Sequence, residues 1–410
     1  MTTTLNQKYT TNNSLIANPE IELLLCCSRT KLTPKIQKQI RALVEQEIDW
    51  QYLMQLAAQH GLMPLLFNSL NTTCPTAVPT EILAGLRSVF QRVARRNLFL
   101  TAELLKILKI FRDNEIDAIP FKGPTLTASA YGNMALRQFC DLDVLIRKEH
   151  CEKATQILVD LGFNLPDKIA QAENRPYFQN SYFLESTEYQ GSYDLYHPKN
   201  GVQFEMHWSL TTKAFPFPPT FQYFWENNEP VRLAGQEVPR FTKETLLIYL
   251  CVHASKPKHT WSELKWICDL AELIQSYPDL DWDKVNKQAK IWGCDRAVFL
   301  GLSLAQDLLG VQLPKNIISE IAKDQTVAAL KAQVKEYIFD KPLKETEEYI
   351  FQFKIRSNFC DRISYLINLL FTPTTNEWEY IQLPKSLSFL YYFVRPYRLM
   401  REFLHNKNRK

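Results

Sequence analysis

Asp141 and Asp143 stand one residue apart in DLDVLI (141–146). Period-two alternation puts Asp141, Asp143 and Leu145 on one strand face and Leu142, Val144 and Ile146 on the other, which enters a core. Two carboxylates held side by side repel, and at least one should keep its proton more tightly than usual. A hard divalent cation such as Mg²⁺ relieves that repulsion, taking carboxylates and substrate phosphates as ligands. VQFEMHW (202–208) repeats the pattern, with Gln203, Glu205 and His207 opposite Val202, Phe204, Met206 and Trp208. A neighbouring strand of the same sheet would supply such an acid. Three carboxylates around one or two metal ions can activate an attacking hydroxyl and stabilise a departing pyrophosphate. The competing reading of an Asp-x-Asp pair is a solvated strand end.

These acids need elements to position them. IDAIPF (116–121) is short and apolar, and Lys122-Gly123 ends it, as in a buried strand breaking into a turn. PTLTASAYG then reads as a helix, with Pro124 near its first position and Gly132 near its stop. Backbone N–H groups at a glycine turn that opens a helix can receive phosphate. Lys122 offers a point charge for phosphate and Gly123 allows close backbone approach. Lys122 could equally pair with an aspartate. Arg137 has two roles open to it, neutralising a triphosphate or bracing the aspartate strand.

Lys122-Gly123, Tyr131, Arg137, Asp141-Leu142-Asp143 and Glu205-Met206-His207-Trp208 resemble the uncharacterised nucleotidyltransferase family, within the DNA polymerase beta-type superfamily. A second stretch, His253, Lys256, His259, Trp261, Leu264, Lys265, Trp266 and Asp269, resembles it too. The resemblance implies an α+β fold: a small mixed-sheet nucleotidyltransferase core flanked by N-terminal helices and a C-terminal helical domain. It implies catalytic and metal-binding roles for Asp141, Asp143 and Glu205, with Glu205 a third ligand or a general base. Lys122, Gly123 and Arg137 would bind nucleotide, and His207, Lys265 and Asp269 would be pocket neighbours. The implied cofactor is Mg²⁺, with an NTP such as ATP as substrate. The implied reaction moves a nucleoside monophosphate to an acceptor hydroxyl of a small molecule, peptide or protein. The alternative is a non-catalytic nucleotide- or partner-binding protein of the same fold. The Lys-Gly turn replaces the superfamily's usual Gly-Ser, and the gap from Gly123 to Asp141 is longer than typical.

The 410 residues suffice for several subdomains, and 46% apolar with 22% charged residues is ordinary for a soluble globular chain. The formal charge is +4, but residues 385–410 hold seven Lys/Arg against one acid, leaving the rest at about −2. Strong nucleic-acid binding by the main body is not expected. Nine cysteines without a C-x-x-C pair, and no signal-like start, suit a reducing cytoplasm. No uncharged apolar run is long enough to span a membrane.

Along the chain, residues 1–18 read as a disordered tail and 19–115 as an N-terminal helical region, with runs at 19–30, at 34–70 interrupted by Gly61, and at 80–115. Arg92, Arg95 and Arg96 form a solvated face, and His60 packs at a helix end. The core spans 116–240, with a helix at 148–163 and short strands around FLEST and SYDLYH. His197 and His207 would face each other across a hairpin, and VRLAGQEVPRF would form a hairpin at the sheet's edge. A helical domain follows at 241–404, then a basic tail at 405–410. There Trp261, Lys265 and Asp269 would share a helix face, with a Lys–Asp pair as the ordinary alternative. The last helix is aromatic and basic, which fits packing on the helical domain with a frayed cationic end, or else contact with a membrane surface or a nucleic acid.

Overall fold

The computed structural model describes residues 18–164, 191–211, 215, 217, 222–340, 343–373 and 375–407. The disordered-tail expectation and the FLEST strand fall outside them. The fold is a small mixed sheet with helices before and after it. Strands β1 (Ala118–Pro120), β2 (Asp141–Ile146), β3 (Ser192–His197) and β4 (Val202–His207) pair in the order β1-β2-β4-β3. The central β2–β4 pair is parallel and both outer pairs are antiparallel. Pro120 lies on the edge strand, where a missing N–H costs no ladder bond.

One face of the sheet is apolar because alternation delivers Leu142, Val144, Ile146, Phe204 and Met206 to it, all at or near zero exposure. Helix α5 (Thr80–Asp113) covers this face with Leu104 and Phe111, and α7 (Cys151–Asp160) adds Leu158. Burying each such side chain contributes roughly 1.5–3 kcal/mol, enough to hold the strand register and present the acids on the opposite face. Two polar contacts from α5 complete the brace. Buried Asn97 donates to the Met134 and Arg137 carbonyls at 2.6 and 2.7 Å, fixing the approach to β2. Arg96 donates to the Asn200 and Gly201 carbonyls of the β3–β4 turn, so it is not the solvated residue expected.

The 34–70 helical run divides into α2 (Pro34–Val44), α3 (Trp50–Gln59) and α4 (Met63–Thr73), behind α1 (Pro19–Cys27). Asp49 caps α3 by accepting from the Tyr52 N–H at 2.9 Å, and Gly61 turns the chain with φ +67°. After β1, α6 (Gly123–Leu126) runs into a π turn (Thr127–Tyr131) that stops at left-handed Gly132. β5 (Asn228–Leu233) and β6 (Gln236–Phe241) follow α8 (Gln222–Glu226) and form a separate two-stranded sheet, not an extension of the main one.

Helices α9 (Lys243–Ser255) and α10 (Leu264–Ser276) stand over the polar face of the sheet. Trp261 lies in the loop between them with φ +60°, fully buried, so it shares no helix face with Lys265 and Asp269. Helix α9 ends at Ser255, and the Trp261 indole donates to Ser255 Oγ at 2.9 Å. His60 is buried as a packing residue and accepts from the Leu264 N–H. The described helices continue as α11 (Trp282–Ile291), α12 (Asp295–Leu309), α13 (Lys315–Lys323), α14 (Gln325–Tyr337), α15 (Glu345–Ile355), α16 (Phe359–Phe371), α17 (Thr375–Tyr380) and α18 (Tyr391–Lys407). No helix among the described residues is long and apolar enough to cross a membrane.

Candidate functional site

The β2–β4 register sets Asp143 directly beside Glu205 and Asp141 beside Gln203. On the next strand Asp194 lies opposite Glu205, so three acids cross the sheet in one row. Asp194 was not singled out from the sequence. SYDLYH alternates, but only the tight turn through Gly201 sets its register. The same register pairs His197 with Val202 and Ser192 with His207, placing the two histidines at opposite ends of the hairpin and not face to face.

Asp143 is 3% exposed and His207 8%. One ligand atom each from Asp143, Glu205 and His207 lies within 4.8 Å of the others. Asp141 is half-buried and stands outside this close group, and His207 replaces it as the third potential ligand. His207 Nε2 is 3.3 Å from both Asp143 Oδ1 and Glu205 Oε2, in hydrogen-bond geometry with neither. Lys122 Nζ lies 2.7 Å from Asp143 Oδ1 as an ion pair, yet neither Asp143 oxygen meets a donor at hydrogen-bonding angles. Asp143 Oδ1 is thus already met by Lys122, while Asp143 Oδ2 is buried without a hydrogen-bond partner and remains able to coordinate. Two carboxylates and an imidazole fit a divalent cation; the oxygens suit Mg²⁺ or Mn²⁺, and the nitrogen widens the choice towards Mn²⁺ and Zn²⁺.

Burial pushes Asp141 up to about 6, with the charge of Asp143 adding to the effect. Burial alone would raise Asp143 as well, but Lys122 and then His207 outweigh it and hold that carboxyl well below the usual range. Burial opposes the charge on Lys122 and His207, and the facing carboxylates more than reverse it. The expected acid–acid repulsion therefore falls on Asp141, because Lys122 has taken the other member of the pair.

Gly123 (φ +46°) brings the turn against β2, where an added Cβ would lie 3.2 Å from the Asp141 carbonyl. Only glycine suits that backbone and that approach. Arg137 does not reach into open solvent. Its Nε and Nη2 donate to Asp269 Oδ1 and Oδ2 at 2.7 and 2.9 Å, and Tyr131 donates to Oδ1 at 2.7 Å. Arg137 Nη1 is buried without a partner. Lys265 pairs with Glu263 at 2.6 Å, so no Lys265–Asp269 pair forms.

A cavity of about 360 Å³ opens above the acids. Lys122, Arg137 and Lys265 line it on the cationic side, and His259 and Trp266 form an aromatic wall. Their rings stack at 4.9 Å and 25°. His259 Nδ1 is 2.9 Å from the His253 carbonyl, which can only accept, so Nδ1 carries the proton and Nε2 the lone pair. Burial, and behind it Lys256 and Lys122, takes His259 down to about 4, keeping the ring neutral. Lys258, Thr260 and Trp261 all have positive φ in the loop that presents it. Strain of this kind persists where surrounding packing over-determines the backbone.

A family model described as an uncharacterised nucleotidyltransferase matches residues 46–310. No curated protein and no solved structure gives a match.

Proposed function

The chain belongs to the uncharacterised nucleotidyltransferase family, and on that premise we propose that it moves a nucleoside monophosphate from an NTP, ATP by preference, to an acceptor hydroxyl with Mg²⁺. The observation that carries this reading is the Asp143–Glu205–His207 group, one ligand atom of each lying within 4.8 Å of the others. Asp143, Glu205 and His207 would hold a divalent cation, with Asp141, which lines the same cavity, as a further carboxylate. The bound metal would supply Lewis-acid stabilisation of charge on the transferring phosphoryl group. Lys122, freed from Asp143, turns to the triphosphate as a point charge, and Gly123 lets the backbone approach it. Glu205 receives the acceptor hydroxyl's proton. Arg137 holds the strand core to α10 through Asp269, with Nη1 left for a phosphate oxygen. His259 and Trp266 stack on the base. The acceptor is a small molecule, peptide or protein side chain, and the site lies in the cytoplasm.

One observation favours a second reading, a nucleotide- or partner-binding protein without catalysis. Lys122 already neutralises Asp143, as a cation would. The test is pyrophosphate release from each NTP with Mg²⁺ or Mn²⁺, followed by labelling of a lysate with the preferred one. Asp143→Asn should lower transfer by about 10²-fold or more. Pyrophosphate release by the parent with no loss in Asp143→Asn would sink the assignment. Nucleotide binding without release under either metal would select the second reading.

A further inference from the structure

His259 is held firmly on a strained loop, yet one of its ring nitrogens has no hydrogen-bond partner. It sits between Lys258 and Thr260, at φ +67° and +43°, in the chain that follows α9. A β-branched residue such as Thr rarely adopts that backbone, which persists only where the surroundings enforce it. The C-terminal helices supply the enforcement. Glu348 on α15 accepts from the Lys258 N–H, and the Tyr337 hydroxyl on α14 donates to the Thr260 carbonyl. The Trp261 N–H returns to the Ala254 carbonyl at 2.8 Å. Its indole is wedged against α12, where a Cβ added to Gly301 would lie 2.7 Å from the ring. Helices far from the acids in sequence thus fix where the His259 ring stands.

A ring so fixed has one hydrogen-bonding role left. Nδ1 donates to the His253 carbonyl at 2.9 Å, and Nε2 meets no hydrogen-bond partner among the described residues. Burial favours the neutral ring, and the charges of Lys256, Lys122 and Lys265 reinforce it against the opposing His253 carbonyl. Nε2 is therefore a lone pair on a residue of the cavity wall, able to accept and unable to donate. The base does not meet it. A base stacked on the His259–Trp266 wall lies parallel to the ring, out of line with an in-plane lone pair. The triphosphate brings acceptors. The sugar leaves the base plane and carries hydroxyls, of which the 2′-hydroxyl is the nearer to the base. Lys122, the proposed triphosphate partner, lines the same cavity, so the sugar joining base to phosphate passes between it and the wall. Resting on the nucleotidyltransferase reading, we propose that His259 determines specificity for the sugar. Its Nε2 accepts a hydrogen bond from the ribose 2′-hydroxyl and so selects ribonucleotides over 2′-deoxyribonucleotides.

The test is calorimetry of the full-length protein in Mg²⁺ with ATP, 2′-deoxy-ATP and 3′-deoxy-ATP. ATP and 3′-deoxy-ATP should bind alike. The 2′-deoxy nucleotide should bind about fivefold or more weaker, because it leaves Nε2 without a donor. His259→Phe keeps a flat ring beside Trp266 and removes the lone pair. It should bind ATP and 2′-deoxy-ATP equally, a levelling that a general change in pocket shape would not produce. His259→Gln, whose side-chain oxygen can accept, should keep part of the preference. Equal binding of ATP and 2′-deoxy-ATP by the parent overturns the proposal whatever the variants do. So does an undiminished preference in His259→Phe, or a loss of affinity with the 3′-deoxy nucleotide in place of the 2′-deoxy one. No binding of any nucleotide would overturn this proposal together with the reading beneath it. Binding without discrimination overturns this proposal alone.

Discussion

Arg137 grips Asp269 through two nitrogens, at 2.7 and 2.9 Å, across 132 residues of sequence. The pair ties the approach to the aspartate strand to α10, and Tyr131 closes the same carboxylate from the π turn. Removing one partner leaves the other charge buried. Arg137→Ala or Asp269→Asn should therefore cost about 3–5 kcal/mol, seen as a lower denaturant midpoint. Arg137→Lys should recover little, because an ammonium cannot make the two-pronged contact. A stability loss in Arg137→Ala within the scatter of surface substitutions would refute the bracing role.

Lys122 and the proposed metal would compete for the same carboxylate. Lys122→Ala strips Asp143 of its neutralising charge inside a nearly closed site, so the metal-free protein should lose roughly 3 kcal/mol or more. Added Mg²⁺ or Mn²⁺ should restore much of that loss and raise the melting temperature more than in the parent, because the cation binds the native state. Asp143→Asn should also lose stability, through a stranded Lys122, and should not be rescued. Equal metal shifts in the parent and in both variants would place the cation elsewhere.

Asp141 makes a pH-dependent cost. Its folded-state carboxyl titrates near 6, above its ordinary value. The folded chain therefore binds the proton more tightly than the unfolded chain, and stability falls as pH rises from about 4 to 6. Asp141→Asn escapes this cost. Without metal it should be more stable than the parent at pH 7.5, by roughly 1–3 kcal/mol, and the advantage should vanish below pH ~4. Urea unfolding of both proteins across that range reads the difference directly. A pH-independent difference would mean that the gain is not electrostatic.

The aromatic wall should matter to binding more than to stability. Trp266→Ala removes the stacking partner of His259 and should weaken NTP affinity by about 1–3 kcal/mol, or roughly 5- to 150-fold. Inorganic triphosphate, which has no base, should bind both proteins alike. Equal weakening of both ligands in calorimetry would show that Trp266 supports the pocket's shape and does not face a base.

Period two made β2 and β4 readable, because each buries one face against α5 and α7 and so fixes which side its acids occupy. Their side-by-side placement, and the helical flanks, followed from the same patterns. Asp194 was hidden because an alternating segment does not disclose its partner's register. The Arg137–Asp269 contact was hidden because no local pattern reports an encounter over that separation. Trp261 misled through its four-residue spacing from Lys265. A left-handed loop carries that spacing here, and helix propensity has no say in it. Within the 34–70 run the break at Gly61 was legible, while the one before Trp50 was not, because the capping role of Asp49 outweighed a continuing apolar period.

The parallel pairing of β2 with β4 also sets an order of assembly. Asp143 meets Glu205 only after the intervening chain is made, and Arg137 waits longer for Asp269. At about 5–20 residues per second, the latter interval is roughly 7–26 s of synthesis. During that time β2 has a free parallel edge and an incomplete acid site. Helices α1 to α5, built from local contacts, can form beforehand and offer that strand the apolar surface of α5. The emerging chain thus has a scaffold well before it has a site.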